Sequence, residues 1–148
     1  MKTIFKILCC AALLGALTGC SDDKDDNSVD AAMLPGLWLM TAEWDGEVNP
    51  ATGEEEGEYD PYEENESYYL RFNGDGTGEL IRRSSNPKAF SYHYNPDDGK
   101  IYWTGGTSIS SDPAIVETLT EERLVLKWYT SGKNGVTYID KAILKRIE

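Results

Sequence analysis

The sequence predicts an all-β fold, an eight-stranded antiparallel up-and-down barrel, and three observations predict it. From Pro35 onward, short runs rich in aromatic and β-branched residues recur between clusters of Gly, Asn, Asp and Pro. Within several runs apolar and polar residues alternate, the period of a strand with one buried face. The connections carry residues that accept positive φ at little steric cost, as tight hairpins require. Closure into a barrel removes the edges that an open meander would expose, and a two-sheet sandwich is the alternative arrangement.

Taken in order, the first predicted strand covers 36–44, with Trp38, Met40, Ala42 and Trp44 on one face. Strands over 67–72 and 77–83 flank the turn Asn73-Gly74-Asp75-Gly76, and Tyr68, Leu70 and Phe72 share a face. Strands over 89–95 and 100–104 flank Pro96-Asp97-Asp98-Gly99, with Phe90, Tyr92 and Tyr94 aligned. Strands over 114–119 and 123–130 follow, the second aligning Leu124, Leu126 and Trp128. Ser131-Gly132-Lys133-Asn134-Gly135 then turns the chain into a last strand over 136–147. A helix from Asp112 through Trp128 competes, because Pro113 suits a first turn and Glu121-Glu122-Arg123 favours helix. Ile115-Val116 and Leu124-Val125-Leu126 fit a strand pair better.

The N-terminus follows a different logic. Lys2 and Lys6 give a positive start, Ile7 to Leu17 is apolar, and Leu17-Thr18-Gly19-Cys20 follows. This is the pattern of a bacterial lipoprotein signal peptide, with small residues beside the scissile bond and a thiol at Cys20 to carry diacylglycerol; the apolar run is too short to span a bilayer of about 30 Å. Three segments follow from it: a signal peptide over 1–19, a lipidated cysteine and acidic flexible tether over 20–33, and a barrel domain over 34–148. Ser21-Asp22-Asp23-Lys24-Asp25-Asp26 resembles the acidic export signal that some Gram-negative gut and oral bacteria place after the lipidated cysteine. That resemblance implies an outer-membrane lipoprotein displayed at the cell surface.

Cleavage before Cys20 would leave 129 of the 148 residues, room for one domain and a tether. Twelve basic residues would then face 26 acidic ones, a net charge of −14 against −12 for the whole chain. Most of the excess lies in the tether and in 45–66, where ten acids stand without a base. Nucleic acid is excluded as a partner class, since phosphate recognition needs clustered Lys and Arg. Cys9 and Cys10 leave with the signal and Cys20 is acylated, so no disulfide is expected and stability must come from burial of Trp, Tyr and Phe.

Gly36-x-Trp38 opening the first strand, Phe72-Asn73-Gly74-Asp75-Gly76-Thr77, and Ile115-Val116-Glu117-Thr118-Leu119-Thr120 leading into Leu124-Val125-Leu126 together resemble the lipocalin-like domains of small bacterial lipoproteins, over roughly 34–148. The resemblance implies that Trp38 packs across the closed end of the barrel with a basic residue from the last strand, Arg146 or Lys145, over it. The 22 residues of 45–66 depart from the pattern, being longer than a usual hairpin link; a loop of that length is either disordered or functional.

Candidate sites are few. Asn73 to Glu79 imitates the start of a calcium loop but has Ser84 where a bidentate acid is needed, so a hairpin turn is expected and no metal. His93 is the single histidine, alternates with Tyr92 and Tyr94, and is expected on the wet face; with no free thiol, neither a catalytic site nor a cofactor is expected. An eight-stranded barrel can be filled by its own side chains or hold one small ligand. Alternation nominates Met40, Leu70, Phe72, Tyr92, Tyr94, Trp103, Leu126, Trp128 and Tyr138 as lumen residues. The expected function is a membrane-anchored, non-enzymatic lipocalin-like lipoprotein binding a small apolar or amphipathic molecule in the barrel. The alternative is a surface module that meets a protein through the acidic 45–66 loop, or a glycan through Tyr59, Tyr62 and Tyr102.

Overall fold

A computed structural model describes residues 29–63, 65–105, 112–133 and 135–148. The predicted signal peptide, Cys20 and most of the tether lie outside the described residues. A 3-10 turn, Ala31–Met33, capped by the Asp30 carboxylate on the Ala32 amide, leads into the strands.

Nine strands are described: β1 (Gly36–Val48), β2 (Glu55–Pro61), β3 (Tyr68–Phe72), β4 (Thr77–Arg82), β5 (Lys88–Asn95), β6 (Lys100–Gly105), β7 (Ala114–Leu119), β8 (Arg123–Ser131) and β9 (Thr137–Arg146). Each of β3 to β8 pairs antiparallel with the next, β1 pairs with β3, and β9 returns to pair with β1. The sheet therefore closes on itself as an eight-stranded antiparallel barrel built from β1 and β3 to β9. The segment 112–128 forms the strand pair β7–β8 and not the competing helix.

The ninth strand corrects the expectation of an acidic loop. β2 lies against the upper half of β1, from Val48 opposite Glu55 to Ala42 opposite Pro61, while β3 lies against the lower half, from Leu39 opposite Tyr69 to Gly36 opposite Phe72. Three steps along β1 thus match eight along its partner, so five residues between Pro61 and Tyr68 are extruded. β2 and β3 are two pieces of one barrel strand. All seven residues of β2 are exposed, so no alternation betrays the strand in the sequence.

A second correction concerns β1 itself. The pairing with β9 slips between Met40 and Ala42, leaving Thr41 as an extra residue. Such a bulge reverses the face of every later side chain. Trp38 and Met40 point inward as predicted, but Ala42 and Trp44 pair with Ile143 and Lys141 on the outer face, and Glu43, Asp45 and Glu47 turn inward. Thr41 is held on both sides: its hydroxyl donates to the Ile143 carbonyl at 3.0 Å, and its own carbonyl accepts the Tyr62 amide at 2.9 Å.

The barrel is closed at the end where β1 begins. Trp38 is fully buried and donates its indole N–H to the Leu34 carbonyl at 2.9 Å. The Arg146 guanidinium lies 4.2 Å from the Trp38 ring centre, the geometry of a cation–π contact, which selects Arg146 over Lys145 for that place. Arg146 also donates to the carbonyls of Met33, Pro35 and Glu121, joining the entering segment, the β7–β8 turn and the last strand. Gly36, with φ at 148°, leaves room for this guanidinium, which a β-carbon there would strike. Above this base, Phe72, Phe90, Tyr92 and Trp103 pack largely edge to face, with ring centres 5.0 to 6.4 Å apart.

Outside the barrel the β1–β2 hairpin is clasped to β8 and β9. The Glu55 carboxylate binds Lys127 and, at 2.9 Å, Lys141, while Glu117 of β7 binds the same two ammonium groups at 3.2 and 2.9 Å. The Lys141 ammonium also lies 4.8 Å from the Trp44 ring centre, and that ring fits against the facing pair Gly46 and Gly57, where a β-carbon would collide with it. Hydrogen bonding from Lys127 holds the Glu55 carboxyl at about 2 against its ordinary 4.5, outweighing the burial that opposes it.

Two outcomes follow from these contacts. Trp38→Ala costs about 3–5 kcal/mol in urea denaturation, because it empties the closed end and leaves the Arg146 cluster without its platform. Glu55→Gln costs about 1–2 kcal/mol at pH 7, a range discounted for solvent screening. Because the folded value is depressed, this stabilisation is complete above pH 4.5 and disappears as the pH falls through about 2. Wild-type and variant denaturation midpoints should therefore converge across that window, and a constant gap would refute the clasp.

Candidate functional site

The buried interior occupies the lower part of the barrel. Leu70, Phe72 and Leu126 are fully packed there, and Tyr92, Tyr94 and Trp103 lie against that core with partial exposure. The indole N–H of Trp103 is buried without a hydrogen-bond partner among the described residues. Tyr92 donates its hydroxyl to the Asn73 carbonyl at 2.6 Å, which braces the β3–β4 turn. These six predicted lumen residues belong to the barrel core or pack against it.

Met40 and Trp128 reach higher, into a cavity of about 240 Å³ at the open end. Met40, Trp128, Ala142 and the ring of Tyr68 supply its apolar surface, Glu43, Asp45, Asp140 and Thr130 its polar surface, and Lys141, whose ammonium is paired with Glu55 and Glu117, also lines it. The Trp128 indole N–H is tied to the Asp112 carbonyl at 3.3 Å. Beyond the cavity, a shallow groove shares Asp45 and Asp140 with it and adds Glu47, Glu56, Glu58 and Tyr138. Tyr138, the last predicted lumen residue, thus sits on the inward face but above the barrel proper, 40% exposed.

The local fold explains why carboxylates gather here. Past the bulge, Glu43, Asp45 and Glu47 face inward on β1. Asp140 lies opposite Asp45 on one side and Glu58 opposite Asp45 on the other, so three carboxylates form a row across β9, β1 and β2. Like charges directly opposite in a sheet repel. Burial, reinforced by the charge of Asp45 and a hydrogen bond with it, raises the Asp140 carboxyl above its ordinary value. Burial likewise pushes the Tyr68 phenol up to about 12, with the nearby Glu43 charge adding to it and Arg82 opposing it. Tyr62, where the chain leaves β2, is raised by burial and then by hydrogen bonding to Glu43, so both phenols keep their protons and can donate to these acids.

Chemically, such a mouth favours a group that is cationic at one end and apolar at the other. The described residues hold no cluster of His, Cys, Asp and Glu arranged to ligate a metal ion. The Asn73–Thr77 segment closes on itself as a hairpin turn, with the Asp75 carboxylate accepting from the Thr77 amide and hydroxyl at 2.9 and 2.6 Å. His93 is exposed on the outer face, away from the cavity. Sequence reasoning missed Glu43, Asp45, Tyr68, Thr130 and Asp140. Alternation with Ala142 and Leu144 on β9 could have found Asp140, whereas nothing in the sequence marks the bulge that turns Glu43 and Asp45 inward.

No protein-family model and no curated protein matches the chain. Among solved structures it is similar to a deswapped triple mutant of bovine odorant binding protein, at 18% identity over 78% of this chain and 74% of that one, with a TM-score of 0.40. It is also similar to apocrustacyanin C2, at 14% identity over 83% of this chain and 66% of that one, just under two thirds, with a TM-score of 0.45. Both are lipocalins. The return of β9 to β1 establishes the barrel independently of either likeness.

Proposed function

We propose that this protein is a non-enzymatic binding barrel that takes a small amphipathic cation at its open end. The observation that carries this reading is the cavity at the open end, whose apolar surface from Met40 and Trp128 adjoins the inward carboxylates Glu43, Asp45 and Asp140. Its volume of about 240 Å³ lies below the range of drug-sized pockets, which suits a small ligand. An ammonium group beside Asp45 and Asp140 relieves their mutual repulsion, and the attached apolar chain covers Met40, Trp128 and Ala142. A neutral apolar ligand lacks the first of these gains.

Calorimetry with 4-phenylbutylamine and the matching alcohol, 4-phenylbutanol, tests the reading. The amine should bind at least about ten-fold more tightly than the alcohol, a difference of about 1.4 kcal/mol. Asp140→Asn should weaken the amine about ten-fold and leave the alcohol unchanged. Because the Asp140 carboxyl is raised, protons compete with the ligand: amine affinity should fall as the pH is lowered from 7 towards 4, and the alcohol should show no such trend. Equal binding of the two probes, or none of the amine, would overturn the reading.

The same proposal places the barrel outside the cell, held to the outer membrane by lipid on Cys20 and displayed at the surface. The pattern over Lys2 to Cys20 and the acidic run that follows support this placement. Cys20→Ser should move the protein from the membrane fraction into the soluble fraction and abolish incorporation of labelled fatty acid. Retention of the label by that variant would refute the anchor site.

A further inference from the structure

We propose that β2 is a docking edge, at which an extended basic segment of another protein adds as a further strand beside Glu55–Pro61. This goes beyond small-ligand binding and uses the outer edge of β2 rather than the cavity, although Glu56 and Glu58 also border the groove beside it. Among the described residues, β2 pairs with β1 on one side and with nothing on the other. The Tyr62 amide bonds to the Thr41 carbonyl and the Asn49 amide to the Glu54 carbonyl, so even-numbered residues from 54 to 62 turn their backbone groups towards β1. The N–H and C=O groups of Glu55, Gly57 and Tyr59 therefore face outward, a ready template for strand addition. Pro61 occupies the next outward position, where a missing N–H costs no bond to β1.

This edge is held in place before any partner arrives. Glu55 is clasped by Lys127 and Lys141 at one end, the Trp44 ring lies under Gly57 in the middle, and the Tyr62 amide ties down the other end. A preorganised edge loses less entropy on binding than a free segment.

Charge decides the occupant. Glu56, Glu58 and Asp60 lie on the inward face of β2, and Tyr59, 57% exposed, on the outward face. A second copy of this strand would set carboxylates against carboxylates, which disfavours self-pairing. A strand with Lys or Arg at alternate positions places each ammonium beside Glu56, Glu58 or Asp60, and its intervening apolar side chains run along Tyr59. The fitting partner is therefore an extended polypeptide of alternating basic and β-branched residues.

A capped peptide of three Lys alternating with Val tests this, alongside the same peptide N-methylated on its pairing amides and a version with Glu for Lys. Fluorescence anisotropy should show binding of the Lys peptide, at least about ten-fold weaker binding of the N-methylated one, and none of the Glu version. Amide exchange should slow at Glu55, Gly57 and Tyr59 on peptide addition. Combining Glu56→Gln, Glu58→Gln and Asp60→Asn should weaken the peptide about ten-fold, whereas Asp140→Asn, which reports on the cavity, should affect it less than about two-fold. Equal binding of the N-methylated peptide would reduce the effect to non-specific charge attraction and overturn the proposal. Absence of binding, protection confined to other strands, or concentration-dependent self-association that protects the same three amides would also overturn it.

Discussion

One extra residue in the first strand decides what faces the barrel interior. Were Thr41 paired regularly in the ladder, period-two alternation would carry Trp38, Met40, Ala42 and Trp44 inward in one continuous apolar line and put Glu43, Asp45 and Glu47 in solvent. The bulge reverses this at mid-strand, so the lower half of β1 contributes hydrophobic packing and the upper half contributes carboxylates. It is not a loose defect. The Thr41 side chain bonds across to β9 and its carbonyl bonds across to the chain leaving β2, so both neighbouring strands enforce the slip.

The same reversal sorts charge across the thickness of the sheet. On the outer face, Lys127 and Lys141 meet Glu55 and Glu117, and the four groups neutralise one another. On the inner face, Asp140, Asp45 and Glu58 stand in a row with no base paired opposite them among the described residues. The outer clasp holds the hairpin where the inner row must be, so stability gained on one side maintains unfavourable charge crowding on the other. This is the usual relation between a binding site and its scaffold: local conflict persists because the surroundings over-determine the geometry.

The parts of this design that could be read from sequence are those where one face is wet and the other dry. β3 and β5 show this alternation, and on β8 Leu124, Leu126 and Trp128 keep the period although Val125 and Lys127 between them are buried too; the inward residues Leu70, Phe72, Phe90, Leu124 and Leu126 are buried as their spacing demands. The hairpin turns were readable because glycine and asparagine have a mechanical reason to be there. β2 was not readable, because a strand wet on both faces has no period and owes its conformation to backbone pairing with β1 and to the Glu55 clasp. Nor was the bulge, since Thr41 is an ordinary strand residue and its extra place in the register exists only relative to β9. The candidate site sits where these two failures overlap, so the nominated lumen residues reach it only through Met40, Trp128 and, at its rim, Tyr138.

That overlap also determines how the mouth can discriminate. In a deep apolar lumen, affinity grows with the ligand surface buried, and any hydrophobe of the right girth gains. Here the cluster of Phe72, Phe90, Tyr92 and Trp103 packs within the barrel, so a ligand gains little by penetrating further. It must instead stop beside Asp45 and Asp140. A neutral molecule that covers these carboxylates strips their water without replacing it, and an anion adds repulsion to that loss. A cation replaces the lost hydration with direct hydrogen bonds and separates two like charges in the same step. Selectivity at this barrel therefore arises from the penalty imposed on the wrong charge at a shallow site, more than from the depth of a greasy cavity.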